Sequence, residues 1–287
     1  MTIAYDPANQ FEIKAWDVEF RRDPVRTLMA RIYQPQGNGP FPALLDLHGG
    51  AWNNQNRMAN ASMDEKLASS GILVVAIDLR LAPEAPYPAS VADANYGVRW
   101  LKAKAREWKG DPATVGALGS SSGGHVVELC AMRPHDTRYS AHPLPKAPSV
   151  DTTLTYVATR SPVSDPFARY QHAERMEREE MLRNSKIYFN PWETIIEGNP
   201  QLILERGEAV TLPPLLVLQG ELDDNVLPEV QEKFAASYRA AGGDCYLEMF
   251  PGCEHQWVRK PGPQTDRAID VIKAFIARQL RASRHAA

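Results

Sequence analysis

Among the 287 residues of this chain, one serine flanked by glycines, one histidine far downstream and two aspartates between them have the types and order for nucleophilic attack on a carbonyl. Ser121 lies in Gly119-Ser120-Ser121-Ser122-Gly123-Gly124, after an apolar run at 115–118 and before the helical pattern Val126, Val127, Leu129 and Cys130. A serine at the tip of a tight strand-to-helix turn is held out at the carboxyl edge of a sheet, at the positive end of a helix. Glycines two positions to either side let the two elements approach. The attack puts negative charge on the carbonyl oxygen, which needs hydrogen-bond donors. His48-Gly49-Gly50-Ala51-Trp52 follows the apolar run at 43–47 and can turn the N–H groups of Gly49 and Gly50 towards one point, with Ser122 N–H as a further donor. Trp52 closes that loop and is expected to touch substrate.

A hydroxyl is a poor nucleophile until a base takes its proton and a carboxylate orients the base. Of seven histidines, His255 stands just past an apolar run at 246–250, across the turn Pro251-Gly252-Cys253-Glu254, which puts it at the same sheet edge as Ser121. His48 belongs to the glycine loop and His125 to the helix after the serine, where packing explains it. His135, His142 and His172 fall in irregular or exposed stretches, and His285 is in the tail. Asp223 and Asp224 both follow the apolar run at 215–218, and position alone does not choose between them.

These groups need a scaffold that collects strand ends. Apolar runs at 43–47, 72–79, 115–118, 154–158, 215–218 and 246–250 lack polar alternation, as strands buried on both faces do. Helix-length segments at 60–69, 89–106, 122–132, 229–241 and 264–281 separate them. That alternation predicts an α/β fold with a mostly parallel sheet covered by helices on both faces. Ahead of it, 11–20 and 27–33 alternate like two strands joined by a turn at Arg21-Arg22-Asp23-Pro24. Residues 160–212 break the rhythm with charged helix and the aromatics Tyr170, Tyr188, Phe189 and Trp192. They are expected to form a lid inserted in a single domain spanning 1–287.

Composition closes off other classes. A net charge of −3 gives no reason to expect nucleic acid or an anionic membrane as partner. Three cysteines without CxxC spacing argue against a disulfide framework and a structural zinc site, and His48, His125 and His255 lack ligand spacing, so no metal is expected. Cys253 is expected as a thiol on the pocket wall. With no signal-like N-terminus and no long apolar span, the expectation is a soluble cytoplasmic protein. The apolar stripes at 229–241 and 264–281 are candidate homo-oligomer surfaces, equally explained by packing on the sheet.

Together these positions resemble the α/β-hydrolase family, and within it the hormone-sensitive-lipase-like esterase branch. The loop at 48–52 is similar to that branch's oxyanion loop. Asp78-Leu79-Arg80-Leu81-Ala82-Pro83-Glu84-Ala85-Pro86-Tyr87-Pro88-Ala89 is similar to its D-Y-R-L-A-P-E-x-P-[FY]-P-A segment, and 119–124 to its G-D-S-A-G-G turn. Gly220-x-x-Asp223-x-x-Val226 and Pro251-Gly252-x-x-His255 resemble the family's acid and base turns, which selects Asp223 over Asp224. Ser120 and Ser122 replace the usual Asp and Ala, and two strands stand where the branch carries a helical cap. That departure also resembles arylformamidase-like and feruloyl-esterase-like relatives. The resemblance implies a serine hydrolase of small-molecule carboxylic esters with no cofactor, using Ser121, Asp223 and His255. The alternatives are an arylformamidase or small-amide hydrolase with the same triad and, more remotely, a non-catalytic ligand-binding protein on this scaffold.

Overall fold

A computed structural model of the chain describes residues 5–23 and 26–285. One eight-stranded sheet contains β1 (Ile13–Arg22), β2 (Thr27–Pro35), β3 (Phe41–Leu47), β4 (Leu73–Ile77), β5 (Gly110–Ser120), β6 (Val157–Arg160), β7 (Leu215–Gly220) and β8 (Cys245–Phe250). Their spatial order is β1-β2-β4-β3-β5-β6-β7-β8. β2 pairs antiparallel with both β1 and β4, and every other pairing is parallel, so β2 alone runs against the rest. The expected first hairpin is present, although Pro24 at its tip lies outside the described residues.

The unbroken apolar runs follow from the layering. In β3, Ala43, Leu45 and Leu47 face one core and Leu44 the other; in β4, Leu73, Val75 and Ile77 oppose Val74 and Ala76. Side chains alternate faces along a strand, so burial on both sides demands apolar residues at every position. The first core is covered by α2 (Ala89–Lys104), α3 (Ser122–Met132) and α8 (Pro228–Ala240), the second by α1 (Ala61–Ser69) and α9 (Pro263–His285). Phe234 and Tyr238 of α8, and Ala268, Ile272, Phe275 and Ile276 of α9, are buried on the sheet. Both stripes expected as candidate oligomer surfaces are therefore spent within the chain. Among the described residues no helix is long and apolar enough to cross a membrane.

Parallel pairing brings the carboxyl ends of the central strands to one edge, with Leu47 beside Gly119 and Gly220 beside Phe250. Each candidate loop leaves the sheet there. Between β6 and β7 the chain makes the long excursion expected at 160–212, through α4 (Pro166–Arg175), α5 (Glu179–Tyr188), α6 (Thr194–Glu197) and α7 (Pro200–Glu205). Its aromatics behave differently from the expectation. Tyr188 and Phe189 are fully buried in the first core, and Tyr170 and Trp192 pair with centroids 4.6 Å apart. Tyr188 O accepts from Tyr87 N at 2.8 Å, Ser90 Oγ meets Tyr188 Oη at 2.8 Å, and Arg133, which caps the C-terminus of α3, binds both Glu197 and Glu208. The aromatics thus moor the segment to α2 and α3.

Candidate active site

Ser121 sits between β5 and α3 with φ 50° and ψ −116°, a conformation costly to a residue with a side chain, by about 1–3 kcal/mol. Neighbours hold it there: Ser121 N–H donates to Arg160 O at 2.9 Å, and Ser121 O accepts from His125 N and Val163 N, both at 3.2 Å. Small neighbours make the turn sterically feasible. A Cβ on Gly123 would lie 2.3 Å from His48 O, so the helix start can press against the glycine loop only with glycine there. The result points the serine oxygen out of the sheet edge.

That oxygen donates to His255 Nε2 at 2.9 Å. His255 Nδ1–H in turn donates to Asp223, 2.8 Å to Oδ2 and 3.1 Å to Oδ1. The acid and base turns are tied by their backbones, Glu221 N to Phe250 O at 3.0 Å and Leu222 N to Cys253 O at 2.9 Å. Asp223 Oδ1 also accepts from the N–H groups of Asn225 (3.0 Å) and Val226 (2.8 Å). Burial opposes charge on Asp223, but the bond from His255 and its charge, with the Val226 N–H, outweigh it and hold the carboxyl below the usual carboxylate range. Asp224 points elsewhere: it is largely exposed and pairs with Arg178 at 2.6 Å.

The glycine loop lies over the serine. Gly49, Gly50 and Ala51 line the same pocket as Ser121 and His255. Gly50 adopts φ 99°, and a Cβ there would stand 2.2 Å from Asn54 O, so the hairpin-like return of the loop needs a glycine. Ser122 is the first residue of α3, and an N–H at that position has no carbonyl four residues earlier to bond. His48 is buried with Nδ1–H on Gly49 O at 2.8 Å, and burial pushes its pKa down.

The expectation for Trp52 requires correction. Its indole is 4% exposed and does not line the pocket. It stacks on Tyr188 at 4.7 Å, donates Nε1–H to His125 Nδ1 at 3.2 Å, and its backbone N–H donates to Ser122 Oγ at 3.2 Å. His125 must then carry its proton on Nε2, which donates to Gly198 O at 2.7 Å. Trp52 is an anchor: it locks the end of the glycine loop to α3 and to the inserted segment. A tryptophan at a loop end reads as a binding surface until the buried partners of its ring are known. Cys253 is likewise not on the wall of this pocket; it packs in the second core with Phe250 and Trp257.

The pocket in front of Ser121 has a volume of about 250 Å³. Three arginines on its wall, Arg160, Arg169 and Arg259, had no place in the sequence reading. Arg160 ends β6, buried 3.8 Å from Asp46. Arg169 of α4 is 6% exposed, donates Nε–H to Asn225 Oδ1 at 2.9 Å and lies 5.8 Å over the Trp52 ring. A signal for Arg169 existed. Pro166, Arg169 and Ala173 share the buried face of α4, so an arginine occupies a position where helical spacing calls for an apolar residue. Among the described residues no group of three or more His, Cys, Asp or Glu side chains could hold a metal ion.

A family model described as BD-FAE matches residues 31–237. Esterase LipC of Mycobacterium tuberculosis is 26% identical over 261 residues, covering 88% of this chain and 62% of its own. The chain spans between 55% and 62% of the length of LipC and two further mycobacterial relatives. Among solved structures, esterase B from Lactobacillus rhamnosis (HN001) superposes with a TM-score of 0.79 at 19% identity, covering 98% of this chain and 91% of that one. A propionate-bound esterase of Thermogutta terrifontis gives 0.73 at 20% identity, with 94% of each chain covered. The fold is that of the α/β-hydrolases, as the sequence pattern predicts.

Proposed function

Because the chain belongs to the BD-FAE family and aligns a serine, an imidazole and a carboxylate at one sheet edge, we propose that it hydrolyses carboxylic esters of small or medium acyl groups through an acyl-enzyme on Ser121. The observation that carries this reading is the continuous relay of 2.9 Å and 2.8 Å behind a serine held in a strained turn. His255 takes the Ser121 proton as Oγ bonds to the ester carbonyl, and Asp223 keeps Nδ1–H pointing away from the serine and stabilises the imidazolium. The N–H groups of Gly49, Gly50 and Ser122 receive the oxyanion. Collapse breaks the bond to the alcohol, which leaves with the proton from His255. Water, deprotonated by the same imidazole, then attacks the acyl-enzyme and frees Ser121. Residues 160–212 act as a roof, a role supported by Arg169, Glu180, Met181 and Asn184 on the pocket wall. We also infer a cytoplasmic location, supported by three cysteines that are all free and buried.

The test is hydrolysis of p-nitrophenyl acetate and butyrate by the wild type and by Ser121→Ala. Turnover that vanishes in the variant is expected; near-equal rates would end the proposal and leave a ligand-binding role. An anilide of the same acyl group is expected to turn over more slowly than the ester. The opposite order would favour the amide-cleaving alternative.

A further inference from the structure

We propose that the substrate carries a carboxylate and that Arg169 binds it, a refinement that rests on the ester-hydrolase reading above. Ester bonds are neutral, and a pocket built for small neutral esters has no use for cations. This one is lined by Arg160, Arg169 and Arg259 against a single acidic side chain, Glu180, in a chain whose net charge is −3. Positive charge is thus gathered where the chain as a whole is negative.

The three arginines are not equivalent. Arg160 has carboxylates near it, Asp46 at 3.8 Å and Asp64 also acting on it, although its Nε and Nη2 make no hydrogen bond. Arg259 stands exposed, its side chain donating to Gln256 Oε1 at 3.4 Å. Arg169 is the anomaly. It is nine-tenths buried, no carboxylate among the described residues lies within ion-pairing distance of it, and its Nη1 has no hydrogen-bond partner. The nearest acid acting on it is Asp223, already bonded to His255, while neighbouring Arg178 has Asp224 to itself. Burial pulls the Arg169 pKa down to about 10, the mark of a cation short of compensation. A buried guanidinium left unpaired is costly and calls for a reason. A ligand carboxylate supplies it, because the planar fork accepts two parallel bonds to carboxylate oxygens.

The surrounding amides agree. Asn225 spends its Oδ1 on Arg169, and Asn184 spends its Oδ1 on Asn53 Nδ2 at 2.7 Å. Both residues line the pocket with their amide oxygens already committed to neighbours. The wall thus sets positive charge beside Ser121.

The experiment compares charged and neutral partners: mono-4-nitrophenyl glutarate with 4-nitrophenyl valerate, and 4-acetoxybenzoate with phenyl acetate. The first pair carries the carboxylate on the acyl side, the second on the alcohol side. In the wild type we expect kcat/KM to favour the charged member of one pair by about 10-fold or more, the size of one charge-assisted hydrogen bond. Arg169→Gln collapses that ratio and Arg169→Lys restores part of it; a merely structural arginine would leave the ratio unchanged. Binding of glutarate to Ser121→Ala by calorimetry, with and without Arg169→Gln, reads the same contact without turnover. Neutral members favoured in both pairs, with glutarate not bound, would overturn the carboxylate proposal and leave the esterase reading standing. No hydrolysis of any ester would sink the esterase reading, and calorimetry would then decide the Arg169 contact alone.

Discussion

Replacing His125 by phenylalanine tests how the glycine loop is held. In the wild type the imidazole accepts from Trp52 Nε1 and donates to Gly198 O, in a setting of Trp52, Tyr188 and Phe189 that suits another aromatic ring. His125→Phe leaves a buried indole N–H and a buried carbonyl unpaired, at about 1–3 kcal/mol each, so about 2–6 kcal/mol near neutral pH. The pH dependence identifies the cause. Burial pushes the folded pKa of His125 down to about 4 from 6.5. The unfolded chain therefore takes up a proton below 6.5 while the folded chain does not. The contribution of His125 is complete above about pH 6.5 and drains away as pH falls towards 4. At about pH 5 the loss is about 1.5 pH units times 1.36 kcal/mol, or about 2 kcal/mol. Urea unfolding at about pH 7.5 and about pH 5 should show the gap between wild type and His125→Phe shrinking by about 2 kcal/mol. Buried acids with raised pKa, such as Glu128, act equally in both proteins and cancel in the difference. A gap that stays constant would refute the neutral, doubly bonded His125.

Asp223→Asn is expected to lower kcat by about 10³–10⁴, because the amide no longer fixes the tautomer of His255. Asp224→Asn should stay within about threefold, since that carboxylate serves an exposed ion pair; similar losses in both would assign the acid wrongly. Gly123→Ala drives a methyl to within 2.3 Å of His48 O and should cost about 1–3 kcal/mol, read as a lower thermal midpoint. An unchanged midpoint would mean the turn and the glycine loop are less tightly apposed than described.

The parallel sheet was legible because burial on both faces makes β4 apolar throughout and β3 and β7 nearly so, with Asp46 and Gln219 as the exceptions. β6 was harder. The run at 154–158 suggests a strand that in fact pairs over Val157–Arg160, because Thr159 and Arg160 are polar yet buried at the strand end. β5 likewise begins at Gly110, five residues before its apolar run, where polar residues pair beside Phe41 and Pro42. Ser121 and His255 were readable because each sits a short distance past a strand, whereas Asp223 was separated from Asp224 only by the resemblance of its turn to a family motif; the topology then brings the three together. Trp52 and Arg169 were misread or missed for one reason. Their partners, Tyr188 and His125 for Trp52 and Asn225 for Arg169, are distant in sequence, and the helical spacing that marks Arg169 as buried does not say what it meets.

The most direct measurement is the mass of the protein after exposure to a fluorophosphonate. One adduct is expected, located by peptide sequencing on the oxygen at position 121, and its formation should slow by orders of magnitude in His255→Ala. Labelling at some other residue, or labelling at full speed without the imidazole, would contradict the activation on which everything else is built.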